Sequence, residues 1–138
     1  MPYNPQNVFA RILRSELPCI RLFEDEHTLA FMDLMPQTEG HALVITREPA
    51  ETLFDLSPEG AAACIRTTQR VAAAVKRAFD APGIMVTQVN GAAAGQTVPH
   101  VHFHIIPRRP GEQLLMHAAV KADPEVLRQQ AERIRRWL

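Results

Sequence analysis

Residues 100–106 read His-Val-His-Phe-His-Ile-Ile, a strict alternation of imidazole and apolar side chains. A period of two is the signature of a β-strand, whose successive side chains point to opposite faces, whereas a helix would scatter the same residues around its axis. As a strand the segment carries His100, His102 and His104 on one face, roughly 6.5–7 Å apart, and turns Val101, Phe103 and Ile105 toward a core. The chain must therefore build a sheet with a packed side and a polar side at this strand. A single buried histidine is ordinarily a hydrogen-bonded core residue. Three in register have no packing rationale, because each ring brings two nitrogens that need partners.

The stretch Asn90-Gly91-Ala92-Ala93-Ala94-Gly95-Gln96-Thr97-Val98-Pro99 leads directly into the histidines. Glycines permit φ > 0, so backbone N–H groups from Gly91 through Gly95 are expected to converge on an anion such as phosphate, with Gln96 and Thr97 as added neutral donors. Alone, the stretch would read as a hairpin connection. Ahead of three histidines it reads as half of a binding site.

The rest of the chain supplies a scaffold. Residues 7–14 are expected to form a short helix with Val8, Phe9, Ile12 and Leu13 on one side. Residues 19–24 and 28–33 read as a hairpin and 41–46 as a third strand. Ser57 and Pro58 open a long helix in which Cys64, Ile65, Thr68, Val71, Ala72, Val75 and Phe79 recur at helical spacing, and Pro82-Gly83 ends it. Residues 84–90 and 99–106 are expected as an antiparallel pair joined by the glycine loop, and Asp123-Pro124-Glu125 opens a terminal helix running to Trp137. Five strands with one long helix between the third and fourth predict an α+β fold, an antiparallel sheet with its helices on one face.

Composition narrows the function classes. The 138 residues make one domain, and 46% apolar content is enough for a real core. Zero formal net charge argues against a protein that coats nucleic acid or an acidic membrane surface. No apolar run approaches a membrane span and nothing at the N-terminus resembles a signal peptide, so a cytoplasmic location is expected. Cys19 and Cys64 are too scattered for a metal or redox pair and are expected as free thiols.

Gly95-Gln96-Thr97-Val98-Pro99-His100-Val101-His102-Phe103-His104-Ile105-Ile106-Pro107-Arg108 resembles the histidine triad (HIT) superfamily of nucleotide hydrolases and transferases, in its Hint- and Fhit-like branches. Val8 to Pro18, Phe23 to Asp33 and Gly40 to Ile45 resemble the opening helix, first hairpin and next strand of that family, so the likeness covers about residues 7–109 and leaves 110–138 as a C-terminal extension. The resemblance implies the same five-stranded fold, a homodimer whose sheets join across a two-fold axis, and metal-free chemistry with no cofactor. It implies that His102 is the nucleophile, that His100 and His104 flank it and bind phosphate oxygens, and that His41 is a fourth histidine beside them. It further implies a purine nucleotide substrate, an AMP conjugate, with Asp33 on the ribose hydroxyls, Val8, Phe9, Ile12, Leu17 and Phe31 around the base, and Asn90 at the rim.

An imidazole attacks phosphorus only when one ring nitrogen holds the proton and the other presents a lone pair. His102 is accordingly expected to donate Nδ1–H to a backbone carbonyl and to form a nucleotidyl-histidine through Nε2. Two departures leave the branch open. Pro49 stands where the phosphoramidase branch usually has another histidine, and the Asn90–His100 loop is one residue shorter than in that branch. The Gly-Gln-Thr-Val flank and nearby Arg108 lean toward a dinucleoside polyphosphate hydrolase, whereas Val8–Pro18 and Asp33 lean toward a phosphoramidase. Two other readings stand beside these: a zinc site in which His41 joins the His-x-His pair, and a nucleotide-binding protein without turnover. Arg128, Arg133, Arg135 and Arg136 read as a solvated helix face.

Overall fold

The computed structural model describes residues 2–115 and 120–138; the expected C-terminal extension thus includes four residues, 116–119, that lie outside the described residues. In chain order the elements are α1 (Val8–Leu13), β1 (Arg21–Glu24), β2 (Thr28–Met32), β3 (Ala42–Thr46), α2 (Pro58–Ala78), β4 (Gly83–Thr87), β5 (His102–Arg108) and α3 (Pro124–Arg135). Single 3-10 turns lie at Leu53–Asp55 and Ala92–Ala94. The five strands form one antiparallel sheet in the order β1-β2-β3-β5-β4, an α+β architecture.

Local chemistry starts each helix where the sequence places it. Asn7 caps α1 by accepting from Ala10 N at 2.9 Å, and Ser57 caps α2 by accepting from Gly60 N at 3.0 Å. Glu48 grips that second cap, accepting from Ser57 N and from its hydroxyl at 2.6 and 2.7 Å. A proline at the first turn of α2 and of α3 lacks an N–H that would have no partner there in any case. Ile65 departs from expectation: it is 53% exposed, because the face of α2 that meets the sheet runs through Cys64, Thr68, Val71 and Val75.

The sheet separates two apolar clusters. Alternate residues Ala30, Met32, Ala42, Val44, Phe103 and Ile105 face α2 and α3 and form the larger one with Val71, Val75, Leu127 and Ile134. Leu29, Phe31, Leu43 and Ile45 face the other way and pack against Phe9 and Ile12 of α1. Burying each large aliphatic side chain contributes about 1.5–3 kcal/mol. The expectation of helices on a single face therefore holds for α2 and α3 only. The short α1 covers part of the opposite face, because its apolar stripe spans less than two turns and fits the strip of sheet beside β2 and β3.

β5 begins three residues later than predicted. Pro99 has no N–H, His100 N turns back to Val98 O at 2.9 Å, and Val101 N reaches Ala50 O at 2.9 Å. The ladder to β3 opens only at the pair Ile45 and His102. His100 thus lies just outside the sheet that holds His102 and His104.

Candidate active site

The pairs Ile45–His102 and Leu43–His104 stand directly opposite each other between β3 and β5, so both histidines share the sheet face that α1 partly covers. His100, His102 and His104 are all buried. The rings of His102 and His104 meet edge to face with centroids 5.0 Å apart, and Phe9 closes on His102 at 4.9 Å. The face opens into a cleft of about 180 Å³ lined by Val8, Phe9, Ile12, Phe31 and Leu43, with Asp33, Thr97, His102 and His104 among its polar members. That is the character of a small-molecule site, apolar walls with a few convergent polar groups. Leu17 packs against the same cluster without lining the cleft, while Cys19, Leu34, Met35 and Val98 line it and were not anticipated.

Hydrogen bonds fix the proton on each ring. His102 Nδ1 lies 2.7 Å from the His100 carbonyl oxygen. A carbonyl only accepts, so Nδ1 carries the proton and Nε2 of the neutral ring presents a lone pair. His41 Nδ1 accepts from Gln37 N at 3.0 Å, which puts the His41 proton on Nε2. That nitrogen is 2.9 Å from His104 Nδ1, which accepts, so the His104 proton sits on Nε2. His102 Nε2 thereby presents a lone pair and His104 Nε2 a proton, as fixed by the His100 carbonyl on one side and the Gln37 N–H on the other.

His100 departs from its expected role at the phosphate. Its Nε2 donates to Thr46 O at 2.8 Å and its Nδ1 accepts from the Tyr3 hydroxyl at 2.6 Å. Both nitrogens are engaged by protein, the residue is 1% exposed, and burial drives its pKa from 6.5 down to about 4. His100 is a neutral anchor. The alternation in the sequence shows three equivalent rings, but only a residue 97 positions away reveals why one of them differs.

The glycine loop also differs from the anion cradle expected of it. Gly91 and Gly95 do hold positive φ, at 92° and 102°. Yet Ala94 N and Gln96 N donate to Gly91 O, Gly95 N donates to Ala92 O, and Gly91 N donates to Gln96 Oε1 at 2.7 Å. Gln96 Nε2 reaches Glu51 O at 2.7 Å and Val98 O at 3.0 Å. The side-chain amide of Gln96 is a brace for the turn, and Thr97 and Val98 are the loop residues that line the cleft. Asn90 is likewise a clamp: its Oδ1 accepts from Leu53 N at 2.7 Å, and its amide pairs with that of Gln88. Arg108 reaches away toward Glu112 O at 2.8 Å.

Asp33 faces two ways. Oδ1 accepts from Met35 N at 2.8 Å in a local turn, and Oδ2 lies 3.4 Å from His41 Nε2 at the edge of the cleft. Asp33, His41 and His104 bring potential metal-ligand atoms within 4.8 Å of one another. Two nitrogens bound to a tetrahedral zinc at about 2.0–2.1 Å would be roughly 3.3 Å apart. The 2.9 Å between His41 and His104 fits a shared proton instead.

A sheet of this order carries one buried imidazole that presents a lone pair and another that presents a proton beside an apolar cleft. The family model described as the HIT domain matches residues 14–111, and the chain belongs to the HIT family. It is 40% identical over 106 residues to adenosine 5′-monophosphoramidase hnt1 of Schizosaccharomyces pombe, covering 77% of this chain and 76% of that one. It is 35% identical over 123 residues to adenylylsulfatase HINT3 of Arabidopsis thaliana, covering 86% of this chain and 62% of that one. Among solved structures, a Hit-like protein from Bartonella henselae superposes with a TM-score of 0.93 at 44% identity, over 99% of this chain and all of the other.

Proposed function

We propose that the protein hydrolyses AMP conjugates at the α-phosphate, of the purine nucleoside phosphoramidate type, through a nucleotidyl intermediate on His102. The observation that carries this reading is the 2.7 Å contact from His102 Nδ1 to the His100 carbonyl, which presents Nε2 as the lone-pair nitrogen beside the cleft. In the first step Nε2 forms a bond to the α-phosphorus and the bond from phosphorus to the leaving group breaks. An amine leaving group takes the Nε2 proton of His104 while water in the cleft returns a proton to that nitrogen and leaves as hydroxide, so both His104 and His41 stay neutral. Water then attacks phosphorus, the phosphorus–Nε2 bond breaks, AMP departs, and the water proton neutralises that hydroxide. The base sits among Val8, Phe9, Ile12 and Phe31, with the ribose hydroxyls at Asp33.

The alternative substrate is a dinucleoside polyphosphate, whose second anionic half needs cationic or amide donors. Of the three side chains offered for that task, Gln96 and Arg108 are bonded to backbone carbonyls and Thr97 lines the cleft, which favours the compact phosphoramidate. The same reading carries a homodimer paired along β4, one of the two edge strands of the sheet, where Val86 is exposed.

Measuring kcat/KM for an adenosine phosphoramidate and for diadenosine polyphosphates on one preparation tests the choice, since that ratio reports differential transition-state binding. A higher value for the phosphoramidate is expected. A preference of a hundredfold for the dinucleotide, about 2.7 kcal/mol, would reverse the choice of substrate, and absence of AMP release from either would refute the activity.

A further inference from the structure

We infer that Tyr3 is a positioning residue for His102, acting through the ring and the carbonyl of His100. Both Tyr3 and its neighbour Asn7 precede the stretch matched by the family model, which begins at residue 14. The inference rests on the proposed role of His102.

The Nδ1–H tautomer of His102 is set by its contact with the His100 carbonyl oxygen. The β3–β5 ladder does not hold that oxygen in place, because its first pair is Ile45 and His102. The peptide that carries it is held by Val101 N donating to Ala50 O at 2.9 Å, and the His100 side chain adds two further anchors on opposite edges of its ring. Nε2–H donates to Thr46 O at 2.8 Å, tying residue 100 to the end of β3. On the other edge the Tyr3 hydroxyl lies 2.6 Å from Nδ1. Since Nε2 carries the ring proton, Nδ1 accepts and Tyr3 donates.

The hydroxyl is itself oriented. Asn7 Nδ2 donates to the Tyr3 oxygen at 2.9 Å and to Asn4 O at 2.8 Å, so the Tyr3 proton is directed at the imidazole. Asn7 Oδ1 meanwhile caps α1, the helix that carries Val8, Phe9 and Ile12 into the cleft. One asparagine therefore ties the helix that walls the cleft to the relay that orients the nucleophile. The Tyr3 and His100 rings also meet edge-on, with centroids 5.7 Å apart. Removing only the hydroxyl would leave this ring contact and strip the donor from a buried nitrogen. The His100 ring would then be held from one side, and it could exchange tautomers or rotate toward Asn7.

Y3F tests this on the full-length, 15N-labelled protein with two readouts. Long-range 1H–15N spectra report the proton position on each imidazole, and steady-state AMP release from an adenosine phosphoramidate reports kcat and KM separately. The expected result is loss of the single Nε2–H signature of His100, loss of the pure Nδ1–H signature of His102, a fall in kcat of at least tenfold, and KM within twofold of wild type. A packing role predicts no change in any of these, because the ring remains. Unchanged nitrogen signatures overturn the inference whatever the rate does, and altered signatures with unchanged kcat overturn it as well. Should the wild-type protein release no AMP, the proposed function fails on its own account. In that case the nitrogen signatures of Y3F alone decide whether Tyr3 sets the His102 tautomer.

Discussion

Acid should weaken this protein through His100, and the size of the effect follows from its surroundings. The ring is 1% exposed and burial lowers its pKa from the ordinary 6.5 to about 4. The unfolded chain therefore binds a proton more readily than the folded one at intermediate pH. The neutral ring costs nothing above 6.5, and stability is lost as pH falls from 6.5 toward 4, the slope following the excess protons bound by the unfolded state. The full displacement, at about 1.4 kcal/mol per pH unit, is worth roughly 3 kcal/mol. By the same linkage about 2 kcal/mol is already lost at pH 5. Urea unfolding of wild type and of His100→Gln at pH 7.5, 6, 5 and 4 isolates the effect, because glutamine both donates and accepts but does not titrate in this range. The variant starts less stable at pH 7.5 and the gap should narrow by about 2 kcal/mol at pH 5, every other titrating group being common to both. Parallel curves would show that His100 keeps its proton affinity in the fold and would refute the buried-anchor argument.

Three further outcomes are expected. His102→Ala should lower AMP release by at least about a thousandfold while retaining AMP binding by calorimetry, since the covalent route needs Nε2 and the cleft walls do not; comparable turnover would remove His102 from the chemistry. Dialysis against EDTA should leave kcat within about twofold, because the His41–His104 spacing suits a proton; complete loss restored by stoichiometric zinc would make the cluster with Asp33 a metal site. Sedimentation equilibrium should return twice the chain mass, with Val86→Lys shifting it toward the monomer by placing charge on the β4 edge; a monomeric wild type would exclude the dimer.

Alternation, caps and turn residues are local signals, and they made the strands, α2 and α3 legible to within a few residues. The triad was legible for the same reason, whereas the apolar set Val8, Phe9, Ile12 and Phe31 was implied by the family resemblance. What escaped depends on partners far along the chain. The different status of His100 is set by Tyr3 and by the carbonyl of Thr46, neither of which has a pattern linking it to residue 100. Gln96, Asn90 and Gly95 have the composition of an anion loop, yet a short loop must also satisfy its own N–H groups, and here they close on Gly91 O, Ala92 O and the Gln96 amide. Gln37 had no signal at all, because it acts through its backbone N–H, which every non-proline residue possesses. Arg133 and Arg135 reach the carbonyls of Ala78 and Arg21, so the terminal helix uses its arginines as ties between elements as well as a solvated face.

The two clusters on either side of the sheet have a consequence for how such a chain can diverge. Val44, Phe103 and Ile105 are shared with α2 and α3, so changing them endangers folding. Val8, Met35 and Leu43 shape the cleft from the other side, where α2 and α3 never reach. Substitutions there can reshape what the cleft admits while the structural foundation stays fixed. The strand that makes this separation possible also limits it. One residue inserted between His102 and His104 would turn one imidazole into the hydrophobic interior and one aromatic ring out into the cleft. Point substitutions can thus explore new ligands freely, whereas insertions and deletions within this strand are closed to the lineage.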